Sequence, residues 1–209
     1  MEGSVKFVYL LLGTPEEVKE KAVEYWETLP ANGAAKHSER AKAFLKDVCD
    51  PDSSQWLPFH ELVIADEEIR ELRAGTNREQ RQRLEQKWSF SGITQQFVGS
   101  ESKGLRLLAH LAHGYGMSSH LMHKDGDGVG MVWERSIRSP ERRDAARFGH
   151  SSRIVSDICS FTALRASFLL RHCGRDPSVL SGLQEKYDAL FSELRVAADK
   201  FTATEYGVR

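Results

Sequence analysis

The residues best suited to chemistry lie in one stretch, Leu105 to Asp127, which holds four of the eight histidines of the chain. On a helix, Tyr115, Ser119 and His123 follow the i, i+4, i+8 spacing and therefore share one face. That face borders the apolar residues of the stretch, and half-buried polar groups need hydrogen-bond partners. A phenol, a hydroxyl and an imidazole in line are candidates for a binding site or a proton-transfer site.

The other three histidines of this stretch, His110, His113 and His120, fall on the opposite face, beside Arg106. A solvated polar face explains them without further function. The four histidines are separated by three, seven and three residues, with no glutamate between them. A zinc site on a helix typically has two histidines four residues apart and a nearby carboxylate. We therefore predict no metal and no cofactor.

The stretch ends in Asp125-Gly126-Asp127-Gly128. This segment has too few oxygen ligands for a calcium loop and lacks its distal glutamate. The glycines instead predict the end of the helix and a turn. A metal-dependent hydrolase that uses His120, His123, Asp125 and Asp127 is a weaker alternative.

A second candidate site is the arginine-rich segment from Glu134 to Arg153. Its six arginines against three acidic residues leave a local excess of three positive charges. An exposed helix face with ion pairs and a phosphate-binding surface both explain this composition. The arginines of the segment are Arg135, Arg138, Arg142, Arg143, Arg147 and Arg153.

The composition indicates a soluble protein with one hydrophobic core. The chain has 209 residues, 40% hydrophobic and 28% charged, so one domain over residues 1–209 is expected. A net charge of -1 argues against a generally basic nucleic-acid coat protein. Three widely spaced cysteines are typical of a reducing compartment, and no apolar run is long enough to span a membrane. We expect a cytoplasmic protein with no membrane association.

Residues that typically begin or end helices recur along almost the whole chain. No segment alternates between apolar and polar residues with the period of two that is typical of strands. The sequence therefore predicts an all-α fold, a single bundle of roughly six to eight helices. Capping signals are expected at Thr14 to Glu17, at Thr76 to Glu79 and at Ser139 to Glu141. Further predictions are a break at Pro30 to Gly33, one helix from Ser54 to Ala74, a loop with one helical turn over 89–99, and a loop up to Ser139.

Three short motifs resemble the pattern of a large uncharacterised bacterial family of all-helical domains. They are Glu2-Gly-Ser-Val-Lys-Phe-Val-Tyr-Leu, Trp88-Ser-Phe-Ser-Gly and Tyr115-x-x-x-Ser119-x-x-x-His123-x-Asp125. The resemblance covers most of the chain and implies a fold similar to the HEPN (higher eukaryotes and prokaryotes nucleotide-binding) domains. Many of those domains are ribonucleases of bacterial toxin-antitoxin and phage-defence systems. Because Glu2 lies so near the start, the first helix of the pattern is expected to be truncated here.

The HEPN nuclease signature is an arginine, usually followed by a polar residue, and then a histidine after a short interval. Arg143-Asp144-Ala-Ala-Arg-Phe-Gly-His150 resembles it. The pairs Arg106 with His113 and Arg165 with His172 have the same spacing, so the spacing alone is weak. Asp144 and the surrounding arginines favour Arg143 and His150. The resemblance implies that His150 is an acid or base and that Arg143 steadies the scissile phosphate.

Two functions follow from these patterns. The first is a metal-independent RNA endonuclease or toxin-like effector, acting as a homodimer, with RNA and an antitoxin or other protein as partners. The second is a non-catalytic helical module that binds a protein partner or a small ligand. The predicted catalytic residues are Arg143, His150 and His123, and the predicted binding residues are Tyr115, Ser119, Arg106, Arg147 and Asp125.

Overall fold

The computed structural model describes residues 2–110 and 126–207, and all regular structure in those residues is helical. The fold is therefore all-α, as predicted. The described part contains eleven α-helices, more than the six to eight expected. They are α1 (Glu2–Leu11), α2 (Pro15–Val23), α3 (Leu29–Asp47), α4 (Leu57–His60), α5 (Asp66–Leu72), α6 (Arg78–Trp88), α7 (Phe90–Val98), α8 (Lys103–His110), α9 (Gly126–Ser136), α10 (Pro140–His172) and α11 (Ser181–Tyr206).

The chain divides into two compact units. Met1–Leu11 and Thr94–Arg209 form one, which we call the terminal unit, and Leu12–Ile93 form the other, the inserted unit. In the terminal unit, α10 packs along α11 and against α1. Val5, Val8 and Phe97 are buried in its core, where the rings of Tyr9 and Phe97 lie 6.5 Å apart. One domain over residues 1–209 stays a prediction.

Two predicted helix starts are confirmed. Thr14 and Glu17 form a reciprocal capping box at α2, and the Ser139 hydroxyl accepts a hydrogen bond from the Arg142 amide at α10. The predicted box at Thr76 to Glu79 is wrong by one residue, because the Asn77 amide side chain caps α6 together with Gln80. Asparagine is the better cap of the two neighbours.

The break predicted at Pro30 to Gly33 is absent. A π-helical turn, Glu24–Thr28, joins α2 to α3, and Pro30 lies in the first turn of α3. Proline removes a backbone donor and crowds the preceding turn, and a π turn changes the local register of the helix at that point. The helical run therefore continues past Pro30 to Asp47.

The single helix predicted from Ser54 to Ala74 is wrong. A 3₁₀ turn, Ser54–Trp56, leads into the short α4, and a connection separates α4 from α5. The amides of Leu62 and Val63 bond to carbonyls three residues back, which ends α4. The Ile64 amide then donates to the fully buried Ser38 hydroxyl at 2.9 Å, so tertiary packing overrides the local helical pattern.

Residues 90–98 form α7 rather than the predicted loop. In the Trp88-Ser-Phe-Ser-Gly motif, Trp88 is buried and donates to the Glu24 carboxylate at 2.8 Å. The Ser89 hydroxyl accepts from the Gly92 amide, and a Cβ at Gly92 would lie 1.9 Å from the Gln86 carbonyl oxygen. The motif is thus a tight helix-to-helix corner that has room only for glycine.

The turn predicted at Gly126 to Gly128 is also wrong, because α9 begins at Gly126 and occupies part of the predicted loop. Glycine at a helix start costs little relative to a good cap, so the same residue type marks a beginning as well as an end. No helix in residues 2–110 and 126–207 is long and apolar enough to cross a membrane.

Candidate functional site

A groove of about 480 Å³ lies beside α9 and α10 in the terminal unit. Three arginines and one histidine line it, together with two serines and three small or branched apolar residues. We call it the arginine groove. Its lining is Val132, Arg135 and Ser136 from α9, and Arg143, Ala146, Arg147, His150, Ser151 and Ile154 from α10.

Helix α10 sets the order of the groove residues. Arg143, Arg147 and His150 follow the i, i+4, i+7 spacing, so they share one face of a continuous helix. At about 1.5 Å per residue, the Cα atoms of Arg143 and His150 are separated by about 10 Å along the axis. Arg147 lies between them. One helix therefore presents two cations and an imidazole in a fixed row.

The groove arginines differ from their neighbours in charge pairing. Arg138 and Arg142 bind the half-buried end of α11 through Glu205, at 2.6 and 3.1 Å. By contrast, among the side chains that the structure describes, no carboxylate lies within 4 Å of Arg135, Arg143 or Arg147. No acidic side chain is among the nine lining residues either. Within the described part of the chain, these three guanidinium groups have no carboxylate partner, which suits the binding of an anion.

Packing from α11 fixes the position of His150. The ring of Phe201 lies 5.7 Å from the imidazole ring, tilted by 49°. This approach depends on Gly149, where an added Cβ would lie 2.8 Å from the Cβ and Cγ of Phe201. The glycine inside α10 is therefore a packing site between two helices, and His150 lies next to it.

The pKa of His150 is lowered from its usual value of 6.5, first by burial and then by the positive charges of Arg135, Arg153 and Arg138. The Nη2 of Arg135 lies 3.4 Å from the Nε2 of His150. A guanidinium has no acceptor atom, so this contact requires a lone pair on Nε2. Both observations favour a neutral imidazole whose unprotonated nitrogen is Nε2. The contact with Arg135 is long, and Nε2 can act as a base once a substrate hydroxyl takes the place of that guanidinium.

The sequence-predicted residues divide into three groups. Arg143, Arg147 and His150 come together in the groove. Arg106 is not among its lining residues, and its guanidinium donates to the carbonyl oxygens of Ser100 and Glu101, at 2.7 Å each. Five further predicted site residues lie outside the described residues, namely His123, Tyr115, Ser119, Asp125 and, among the weaker metal candidates, His120.

The sequence placed Arg135 in the basic segment from Arg135 to Arg153 that was expected to hold RNA, but did not single it out as a site residue. A loop was predicted there, up to Ser139. The signal that was available is the run Val129, Val132, Trp133 and Ser136, which keeps a helical period. A helix there, followed by a short turn, returns the chain along α10 and brings Arg135 to His150.

The described residues contain no group of three or more His, Cys, Asp or Glu side chains that could hold a metal ion. No family model, curated protein or solved structure matches the chain. The groove itself is therefore the basis for inferring function. A neutral imidazole beside three guanidinium groups that have no carboxylate partner among the described side chains suits the transfer of a proton next to a bound phosphate.

Proposed function

We propose that the protein is a metal-independent ribonuclease whose active site is the arginine groove. The observation that carries this proposal is the convergence of three arginines without carboxylate partners, among the described residues, on a histidine whose pKa is lowered. The spacing of Arg143 and His150 also resembles the HEPN nuclease signature. A HEPN-like fold, and an effector role in toxin-antitoxin or phage-defence systems, belong to the same proposal.

The proposed reaction is attack by the ribose 2′-hydroxyl on the adjacent phosphorus. Nε2 of His150 takes the hydroxyl proton as the new bond from oxygen to phosphorus forms. The bond from phosphorus to the 5′-oxygen then breaks, and the imidazolium returns the proton to that oxygen. The products are a 2′,3′-cyclic phosphate and a free 5′-hydroxyl, so protons and bonds balance without a metal.

The arginines have separate roles in this scheme. Arg135 is nearest to the imidazole, and Arg147 is one helical turn before His150, so these two stabilise charge at the scissile phosphate. Arg143 lies two turns from His150, which suits a neighbouring phosphate of the strand. Preorganised cations at a developing oxyanion are a large source of rate acceleration in enzymes.

The proposal is tested by cleavage of total RNA by the purified protein, with and without EDTA. His150→Gln keeps a polar side chain of similar reach and is expected to lower the rate by about 10²- to 10⁴-fold, the usual contribution of a general base. His172→Gln, at the exposed end of the same helix, is the matched control and should cleave like the wild type.

Circular dichroism checks that each variant is folded. Cleavage that EDTA abolishes would contradict the metal-independent chemistry. Equal cleavage by wild type and His150→Gln would contradict the role of the groove.

A non-catalytic binding module is the second candidate, and one observation favours it. Large apolar side chains beside the groove are exposed, with Trp133 and Ile137 each 68% accessible and Phe148 62% accessible. Exposed apolar residues of this size are typical of protein interfaces. A protein partner, such as an antitoxin or a second copy in a homodimer, would bind there. Absence of cleavage by every form of the protein would favour this candidate.

A further inference from the structure

A second groove continues along α10 beyond the arginine groove. It has a volume of about 350 Å³ and is lined mainly by α10, from Ile154 to Arg165, with Ser4 of α1. Ile154 lines both grooves. The two are therefore adjacent segments of one path along the same helix.

The spacing along α10 places a cation at each end of this path. Arg143 and Arg165 are each eleven residues from Ile154, and eleven residues are close to three helical turns. All three residues therefore lie on nearly the same face. The path between the two arginines is about 33 Å long at about 1.5 Å per residue.

The middle of the path is apolar, whereas its two ends are cationic. Ile154 and Ile158 are each 60% exposed and form an apolar surface between the two cations. Asp157 lies beside them, 3.8 Å from Arg153. A carboxylate repels a phosphate but accepts a hydrogen bond from a base amino group, so this part of the path suits a base rather than a backbone phosphate.

Arg165 resembles Arg135, Arg143 and Arg147 in the few contacts that its guanidinium makes. Its Nη2 donates only a long bond, 3.4 Å, to the Thr162 hydroxyl. In the described part of the chain, no carboxylate lies within 4 Å of it. A guanidinium with one long hydrogen bond and no carboxylate partner among the described side chains can bind a phosphate.

We propose that single-stranded RNA binds along α10 from Arg143 to Arg165, with an unpaired base on Ile154 and Ile158 and a distant phosphate on Arg165. This inference rests on the proposed function for the position of the scissile phosphate. A duplex is excluded as the preferred ligand because its base faces are stacked inside, whereas an unpaired base offers a face to the apolar surface. A path of this length matches the site sizes of about 4–16 nucleotides seen for single-strand binders.

Binding of fluorescent 2′-O-methyl oligonucleotides of about 4 and about 12 nucleotides, followed by anisotropy, tests the path. The methyl group blocks attack by the 2′-oxygen, so binding is measured without cleavage. Arg165→Gln should weaken binding of the long strand by about fivefold and lower its salt slope by about 0.7, the effect of one lost phosphate contact. Binding of the short strand should not change.

Two control variants match the test residues in exposure. Arg195→Gln and Val196→Ser both lie on α11 and should bind like the wild type, whereas Ile158→Ser should weaken the long strand by about threefold. An unchanged affinity of the long strand in Arg165→Gln would overturn the path. So would equal binding of a duplex of the same sequence.

The same titration separates the two proposals. If binding of the long strand depends on Arg143 but not on Arg165, the path fails while the ribonuclease remains supported. If Arg165→Gln weakens binding but the wild type cleaves no RNA, the path stands and the ribonuclease fails. If neither strand binds, both are wrong.

Discussion

Two clusters of basic residues in this protein have similar composition and different surroundings. In the inserted unit, Lys36, Arg73, Arg78 and Arg81 line a cavity of about 260 Å³. There Arg73 makes a bidentate pair with Glu39, at 2.6 and 2.9 Å, and Lys36 bonds to Glu85. The arginine groove has no such acidic partners among the described residues.

The difference shows that the number of basic residues does not identify a binding surface. A paired guanidinium already has its acceptors, and a ligand would have to displace a carboxylate to reach it. A guanidinium without a carboxylate partner can bind an anion without first breaking an ion pair. Lys36 and Arg73 of the inserted cluster therefore belong to structural ion pairs, whereas the arginines of the groove suit an anionic ligand.

The largest expected effect separates the two clusters by function. Arg147→Gln should lower kcat/KM for RNA cleavage by about 10²-fold, because a preorganised charge at the phosphate is lost. Arg73→Gln should leave cleavage unchanged and lower the free energy of unfolding by about 1 kcal/mol, the upper range for an exposed pair.

Initial rates on a fluorogenic oligoribonucleotide and urea titrations measure these two quantities. A loss of cleavage in Arg73→Gln, with the protein still folded, would show that the comparison is wrong.

The second effect concerns helix packing next to His150, the proposed base. Gly149→Ala should lower the free energy of unfolding by about 1 to 2 kcal/mol, since the new Cβ meets Phe201 at 2.8 Å and the cost of overpacking exceeds the gain in helix propensity. Gly33→Ala in α3 is the matched control, because nothing lies within 4 Å of its added Cβ.

Gly33→Ala should therefore stabilise the protein by about 0.5 to 1 kcal/mol. The midpoint and slope of urea unfolding give the free energy of unfolding of each variant. A gain in stability in Gly149→Ala, like that expected for Gly33→Ala, would show that Phe201 does not crowd α10 at Gly149.

The smallest effect is a shift in pH dependence. His150 acts as a base only when neutral, and its pKa is lowered, so cleavage should persist as pH falls through 6.5 and decline only at the lower pKa of His150. Arg135→Gln removes one positive charge and should raise that pKa, moving the acid limb of the profile to higher pH. The shift is partial because burial is the larger cause.

Profiles of kcat/KM against pH for wild type and Arg135→Gln measure this change. His150 should also make folding stability fall with acid, since its folded-state pKa lies below the unfolded value of 6.5 and the unfolded chain binds the proton first. An acid limb that moves to lower pH in Arg135→Gln would contradict the electrostatic account.

Local signals in the sequence predicted the helical class and several helix ends. The box at Thr14 and Glu17 and the start at Ser139 depend on neighbours within a few residues. The errors at Pro30 and between His60 and Asp66 arose where a π turn or a distant hydroxyl, that of Ser38, decides the backbone. The bond between Ile64 and Ser38 spans 26 residues, so a local sequence pattern does not show it.

For the candidate site, too, the residues of one helix were predictable and those from other helices were not. Arg143, Arg147 and His150 lie on one helix, so their spacing already indicated a shared face. Arg135 depends on how α9 returns along α10, and Phe201 depends on α11, so neither could be assigned from local spacing. Pairing with carboxylates such as Glu205, which is 63 residues from Arg142, also requires the tertiary structure.

The single 33-residue helix α10 carries most of the groove and the path beyond it. Its residues are therefore fixed relative to one another along about 50 Å of continuous helix, and no loop between them can absorb a change in length. Inserting or deleting one residue between Arg147 and Ile154 would rotate every later residue by about 100° about the helix axis and remove it from the shared face. Over evolutionary time, this surface would accept exchanges of side chains and reject changes in length.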